Sequence, residues 1–218
     1  MFDTPFLGFG PKAITFFKGL EKDNTKAYFT AERGVFEDHV KAPLTRLLDE
    51  AAAEFGGTIK VFRQNRDVRF SKDKSSYKTS TYGLILTPAG RHYYAAISST
   101  GFYAGTGVYE MTKDQLSAQR SAIDGPAGAE LEAALAETQA AGLTRWTDAD
   151  LKSAPRGVAK DHPRIVLMRM KNMVIGAGID PKAALDERRP LDHALRTWHA
   201  AAPVLDWLEE YVGLQTAG

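Results

Sequence analysis

Apolar positions between residues 11 and 55 recur at helical intervals. Ala13, Ile14, Phe16, Phe17 and Leu20 fall on one side of a helix that starts after the Gly10-Pro11 punctuation and runs to about Lys22. Asp23 or Asn24 is placed to cap the helix that follows. Phe29, Phe36, Val40, Leu44, Leu47, Ala51 and Phe55 keep the same rhythm, broken by Gly34 and Pro43. Proline lacks the donor that an interior turn needs, so Pro43 is expected to open a new helical segment. Gly56-Gly57 ends the run.

The period then changes to two. Tyr82, Leu84 and Leu86 alternate with their neighbours, PAGR makes a turn, and His92, Tyr94 and Ala96 alternate against Tyr93, Ala95 and Ile97. SSTG makes a second turn, and Phe102 to Tyr109 alternates again. Short turns joining such runs predict an antiparallel meander, with Val61 to Phe70 as a fourth strand. Gly101, Gly105 and Gly107 weaken the last strand, and glycine in a strand signals that something approaches the backbone closely.

Helical periodicity returns beyond Thr112, which caps a helix over 113–124; a second runs from about Pro126 to Ala141. A short helix is expected near 164–171, with a further strand at Met173 to Ile175. Leu195, Trp198, Ala202, Leu205, Leu208 and Val212 form a terminal packing stripe that Pro203 should kink or restart. The order predicts one α+β domain over 1–218, helical over 1–57 and 111–218. The sheet region, 58–110, is an antiparallel meander of about four or five strands covered by the flanking helices.

Charge narrows the functional classes. With 28 basic and 27 acidic residues the net charge is +1, which excludes the large positive excess of a protein that coats DNA nonspecifically. Any anion binding must be local. The chain has no cysteine, which removes disulfides, thiol nucleophiles and zinc–thiolate sites and fits a reducing cytoplasm. None of the five histidines forms HxH or HExxH, so no metal site is expected. GxGxxG, GxxxxGK[ST] and GxSxG are absent, and no cofactor is expected. No apolar run approaches the roughly 18 residues of a membrane span, and MFDTPFLGFGPK lacks the layout of a secretory signal. A cytoplasmic location is the expectation.

The cations concentrate in FRQNRDVRFSKDKSSYK, residues 62–78, where Arg63, Arg66, Arg69, Lys72, Lys74 and Lys78 surround only Asp67 and Asp73. In an extended chain, Phe62, Gln64, Arg66, Val68 and Phe70 share one face, and Arg63, Asn65, Asp67, Arg69 and Ser71 share the other. Two guanidiniums flanking a carboxylate suit a planar anion, because the arginine fork pairs bidentately with carboxylates and phosphates. Asp67 would hold the arginines in place or act as acid or base. Arg66 falls on the apolar face and needs a partner there. Arg120 shares a stripe with Leu116 and Ile123, so it too should face inward and converge with Arg66 or Arg69 on one pocket.

The stretch resembles the signature of an uncharacterised bacterial and fungal family, the domain of unknown function 2461 family, marked by RxxRDxRFxx[DN]KxxY. The matching positions are Arg63, Arg66, Asp67, Arg69, Phe70, Asp73, Lys74 and Tyr77. The resemblance covers nearly the whole chain. It implies that the cationic stretch is the family's mark, and it implies no particular reaction.

Three functions remain open on this reading. The first is a pocket for a small phosphate- or carboxylate-bearing ligand, with Arg63, Arg66, Arg69, Lys74, Tyr77 and Arg120 as binding residues. Catalysis would act by stabilising developing negative charge, with Asp67 and His162, in the loop Ala154–Pro163, as candidate proton carriers. The second is a nucleic-acid module in which tyrosines such as Tyr77, Tyr93, Tyr94, Tyr103 and Tyr109 stack bases. The third is a structural or partner-binding protein whose arginines form internal ion pairs.

Overall fold

The computed structural model describes residues 4–67, 69 and 74–214. Helix α1 (Pro11–Lys22) begins on Pro11, whose fixed φ suits a first turn, and buries Ala13, Ile14, Phe16, Phe17 and Leu20. The next helix, α2 (Lys26–Ala31), is capped by Thr25, whose Oγ accepts the Tyr28 N–H, and not by Asp23 or Asn24. The reason is tertiary. Asn24 uses its amide on the backbone of Tyr77, while the Asp23 N–H closes α1 on the Gly19 carbonyl.

Helical backbone then runs from α3 (Arg33–Phe36) through a wider π turn, Glu37–Lys41, into α4 (Ala42–Phe55). Pro43 stands in the first turn of α4, as its missing donor requires. The ring of a helical proline crowds the carbonyl four residues back, here His39. The preceding turn is opened to five-residue spacing, with the Ala42 N–H bonded to the Glu37 carbonyl.

Among the described residues the sheet has six antiparallel strands. They are β1 (Thr58–Val61), β2 (Ser80–Leu86), β3 (His92–Ser98), β4 (Gly101–Val108), β5 (Thr144–Arg145) and β6 (Met173–Ile179), in the order β1-β2-β3-β4-β6-β5. The meander read from the sequence is β1 to β4, and β6 continues it beyond β4. The glycines of β4 are explained by that neighbour. Gly101 and Gly107 have φ near +120°, and a Cβ on either would collide with a carbonyl of β6, Ile179 and Met173 respectively. What approaches the backbone is the next strand.

The fourth strand is shorter than expected from the sequence. β1 pairs Thr58↔Leu86 through Val61↔Gly83 and ends at Val61, so the described residues of the cationic stretch form no strand. Ile59 and Val61 still share the inner face with Ile85. Beyond them the residues are charged and the ladder breaks up into single contacts. Phe62 N–H bonds to the Tyr82 carbonyl, Asn65 bridges Tyr77, Arg66 N–H bonds to the Ser76 carbonyl, and Lys78 N–H bonds to the Gln64 carbonyl. The result is a narrow irregular hairpin beside the edge strand. Val68, Phe70, Ser71, Lys72 and Asp73 lie outside the described residues.

Contacts divide the chain into two compact units. The first comprises Met1–Thr87, Tyr93–Ala104 and Gly178–Arg196. In it α4 packs on β1 and β2, and a phenylalanine cluster of Phe16, Phe17, Phe29 and Phe36 joins α1 to the helices that follow. The second comprises Pro88–His92, Gly105–Ala177 and Thr197–Gly218. It holds α5 (Lys113–Asp124), α6 (Ala127–Ala140), α7 (Ile165–Met168) and, after α8 (Pro181–Ala184) and most of α9 (Arg189–Ala200) in the first unit, α10 (Ala202–Tyr211). Thr112 and Gln115 form a reciprocal capping box at the start of α5. Pro203 restarts the terminal helix as α10, which is tied to α6 by the Trp207 indole N–H donating to the Ala127 carbonyl at 2.8 Å. Among the described residues no helix is long and apolar enough to cross a membrane.

Candidate functional site

In the first unit a cavity of about 320 Å³ opens between the hairpin and the π turn. Val61, Phe62, Arg63, Gln64 and Asn65 line it from the hairpin side, and Phe29, Arg33, Phe36, Glu37 and Lys41 from the helical side. The charged lining is three cations and one acid. Lys41 Nζ donates to Glu37 Oε2 at 2.8 Å, so that pair is neutral. Arg33 and Arg63 are exposed, and among the described residues neither makes a side-chain hydrogen bond or ion pair.

The hairpin wall is held from behind. Gln64 is 3% exposed, donates to the carbonyls of Lys78 and Ser80, and accepts from the Thr81 hydroxyl. Its amide is therefore satisfied without help from a ligand. Tyr77 is 6% exposed and stacks on Phe29 with ring centroids 4.3 Å apart. The alternation read from the sequence persists here without a strand. Gln64 is buried and Arg66 half-buried, whereas Arg63, Asn65 and Asp67 are exposed.

The expected site residues take different positions. Arg63 lines the cavity. Arg66 donates from Nη1 to the Ser75 hydroxyl at 3.0 Å, which supplies a partner for its half-buried charge. Arg69 is gripped by Asp67, with Nε to Oδ1 at 3.0 Å, Nη2 to Oδ2 at 2.6 Å, and the Arg69 N–H to Oδ1 at 3.2 Å. That grip holds the Asp67 carboxyl below the usual aspartate range, helped by the nearby charge of Arg63. Lys74 is exposed on the hairpin.

Arg120 belongs to the second unit, where its Nε donates to the Met168 carbonyl at the end of α7. His162 is in that unit too. Its Nδ1 accepts the Arg164 N–H at 3.0 Å, which leaves the proton on Nε2 to be donated to Asp124 Oδ1 at 3.0 Å. The His162 carbonyl accepts the Ile165 N–H, so this residue organises the entry to α7.

Arg33, Glu37 and Lys41 were not singled out by the sequence. Their signal was the break in helical rhythm between Gly34 and Pro43. A π turn re-aims side chains relative to a regular helix, and such turns are frequent at functional sites. Among the described residues no three His, Cys, Asp or Glu side chains gather to hold a metal ion.

A six-stranded antiparallel sheet with helices packed on it, and an arginine-bearing hairpin beside its edge strand, defines an α+β protein of the meander type. The chain belongs to the family described as "Conserved hypothetical protein (DUF2461)", whose model matches residues 12–207. No curated protein matches the chain.

Proposed function

We propose that the cleft binds a small molecule through a phosphate or carboxylate group, with the guanidiniums of Arg33 and Arg63 as its direct contacts. One observation supports this above the others: two arginines line one concavity, and among the described residues neither makes a side-chain hydrogen bond or ion pair with an acid. Several arginines elsewhere are matched, as Arg91 is by Asp206 and Glu209, Arg145 by Asp150, Arg164 by Glu132 and Arg188 by Glu50. A guanidinium fork matches the planar oxygens of a carboxylate or phosphate, and charge-assisted bonds of this kind are about twice as strong as neutral ones.

Arg66 and Lys74 add positive potential along the hairpin in this reading, the charge of Arg69 is offset by Asp67, and Tyr77 backs the cavity wall. Asp67 orients Arg69 rather than exchanging protons, because its carboxyl is held ionised. Arg120 and His162 carry no role in the proposal. Any catalysis at the cleft would come from the two guanidiniums stabilising negative charge as it develops.

Titration calorimetry with inorganic phosphate and with citrate tests the proposal. Wild type should bind one of them, and Arg33→Gln and Arg63→Gln should each weaken that binding by about tenfold, the equivalent of one lost charge-assisted bond. Absence of heat and of any rise in melting temperature at millimolar concentrations of both anions overturns it.

Nucleic-acid binding is less well supported. Phe62 and Tyr82 are 4.8 Å apart and Tyr82 and Tyr94 5.5 Å apart, tilted toward one another, and Lys78 Nζ lies 4.6 Å over Tyr82. These rings are engaged with one another, and Lys78 already covers a face of Tyr82, which leaves less ring surface for a base. Oligonucleotide binding with a steep salt dependence would reverse this preference. Internal ion pairing, the structural alternative, accounts for Arg91, Arg145, Arg164 and Arg188 but gives no reason for Arg33 and Arg63.

A further inference from the structure

Resting on the anion-binding reading, the geometry points to a narrower ligand class: an aromatic acid, in which one phosphate or carboxylate group is attached to a flat ring. The cavity lining is not that of a site for a bare inorganic anion. Among the described residues, Phe29, Phe36, Val61 and Phe62 give the cavity an apolar lining. A free phosphate would meet the guanidiniums and leave this apolar surface in water. A ring attached to the acid would cover it, and each Å² of apolar area removed from water contributes about 25 cal/mol.

The aromatic wall is also held rigid before any ligand arrives. Phe29 is half-buried, and Tyr77, itself buried, stacks behind it with an interplanar angle of 15°. Phe36 packs 5.2 Å from Phe29 and is 5% exposed. A ring fixed from behind loses little side-chain freedom when a second ring docks on it, so more of the contact energy appears as affinity. The volume of about 320 Å³ lies at the small end of ligand pockets, which suits a single ring or fused pair with one acidic group.

Five probes test the inference on the intact chain: inorganic phosphate, phenyl phosphate, acetate, benzoate and phenol, each titrated by calorimetry. Phenyl phosphate is expected to bind about tenfold tighter than inorganic phosphate, or benzoate about tenfold tighter than acetate if the carboxylate is preferred. Phenol should bind more weakly than either aromatic acid. Phe29→Leu, which keeps apolar volume but removes the ring, should lower the affinity for phenyl phosphate more than that for inorganic phosphate and so erase the advantage of the aromatic acid. Arg63→Gln should weaken both. Equal affinity for the aromatic and the inorganic or aliphatic anion overturns the aromatic class while leaving an anion site in place. Phenol binding as well as phenyl phosphate overturns it from the other side, because the acid would then be irrelevant. Failure of all the anions to bind removes the anion site and the inference with it. The wild-type comparison needs no variant to fold.

Discussion

Asn24 holds Tyr77 by both ends of its backbone. The Asn24 Oδ1 accepts the Tyr77 N–H at 2.9 Å, and the Asn24 Nδ2 donates to the Tyr77 carbonyl at 3.0 Å. A side-chain amide thus imitates a neighbouring strand and pins the returning arm of the hairpin to the turn between α1 and α2. Removing it should cost about 2 kcal/mol, one ordinary net contribution for each bond. Urea denaturation of Asn24→Ala checks this. Asn24→Asp keeps the acceptor and loses the donor, so it should fall between wild type and alanine.

Arg69 and Asp67 make a second testable pair, this one exposed. The Asp67 carboxyl should titrate below the usual aspartate range, by NMR of the side-chain carboxyl. Arg69→Ala removes the larger cause and should move the titration upward. Folding lowers this pKa, so any stability the pair contributes is present above the ordinary aspartate value and lost as pH falls through the folded one. Between pH 5 and 8 the variant and wild type should show parallel stability curves.

Glu50 makes the corresponding contact at the chain's beginning. It binds Arg188 and accepts the Phe6 N–H at 2.9 Å, while Arg188 also donates to the Phe6 carbonyl at 3.0 Å. The Arg188 guanidinium holds the Glu50 carboxyl below its usual range against a smaller opposing effect of burial. Glu50→Gln should lower stability at neutral pH by about 1 kcal/mol, as suits a partly exposed pair. The difference from wild type should shrink as pH drops through the folded pKa, where wild-type Glu50 takes up its proton. Thermal melts from pH 7 to pH 3 give the measurement.

Two glycines should respond with opposite signs to alanine. At Gly107 the φ of +120° and the Met173 carbonyl leave no place for a Cβ, so Gly107→Ala should cost at least about 2 kcal/mol. Gly34 lies in helical backbone with nothing within 4 Å of an added Cβ, so Gly34→Ala should gain about 0.5–1 kcal/mol. Chemical denaturation of both variants separates close packing of strands from simple helix propensity.

The helices were legible because their apolar residues recur at local steps that the backbone itself imposes. The stripe from Ala13 to Leu20 and the cap at Thr112 need no distant partner to be recognised. The meander was legible for the same reason, since Tyr82, Leu84 and Leu86 alternate with their neighbours, although it is Thr81, Gly83 and Ile85 on the other face that are buried. β1 was misplaced because charged residues can alternate as cleanly as apolar ones, and only Ile59 and Val61 share the inner face with Ile85. Thr25 displaced Asn24 as a cap because Asn24 found a backbone to bind 53 residues away.

Sequence alone determined that the cations of 62–78 are concentrated, that Gln64 and Arg66 turn one way and that Arg63 turns the other. Alternation is a local property and follows from the geometry of an extended backbone. Which arginines are engaged was decided by the tertiary structure, because an acid or a hydroxyl must be brought within bonding distance. Asp67 occupies Arg69 and Ser75 holds Arg66, while Arg63 is placed in one cavity with Arg33, thirty residues earlier in the chain. No repeat or spacing encodes that meeting; it arises because helical backbone carrying a π turn packs beside the end of an edge strand.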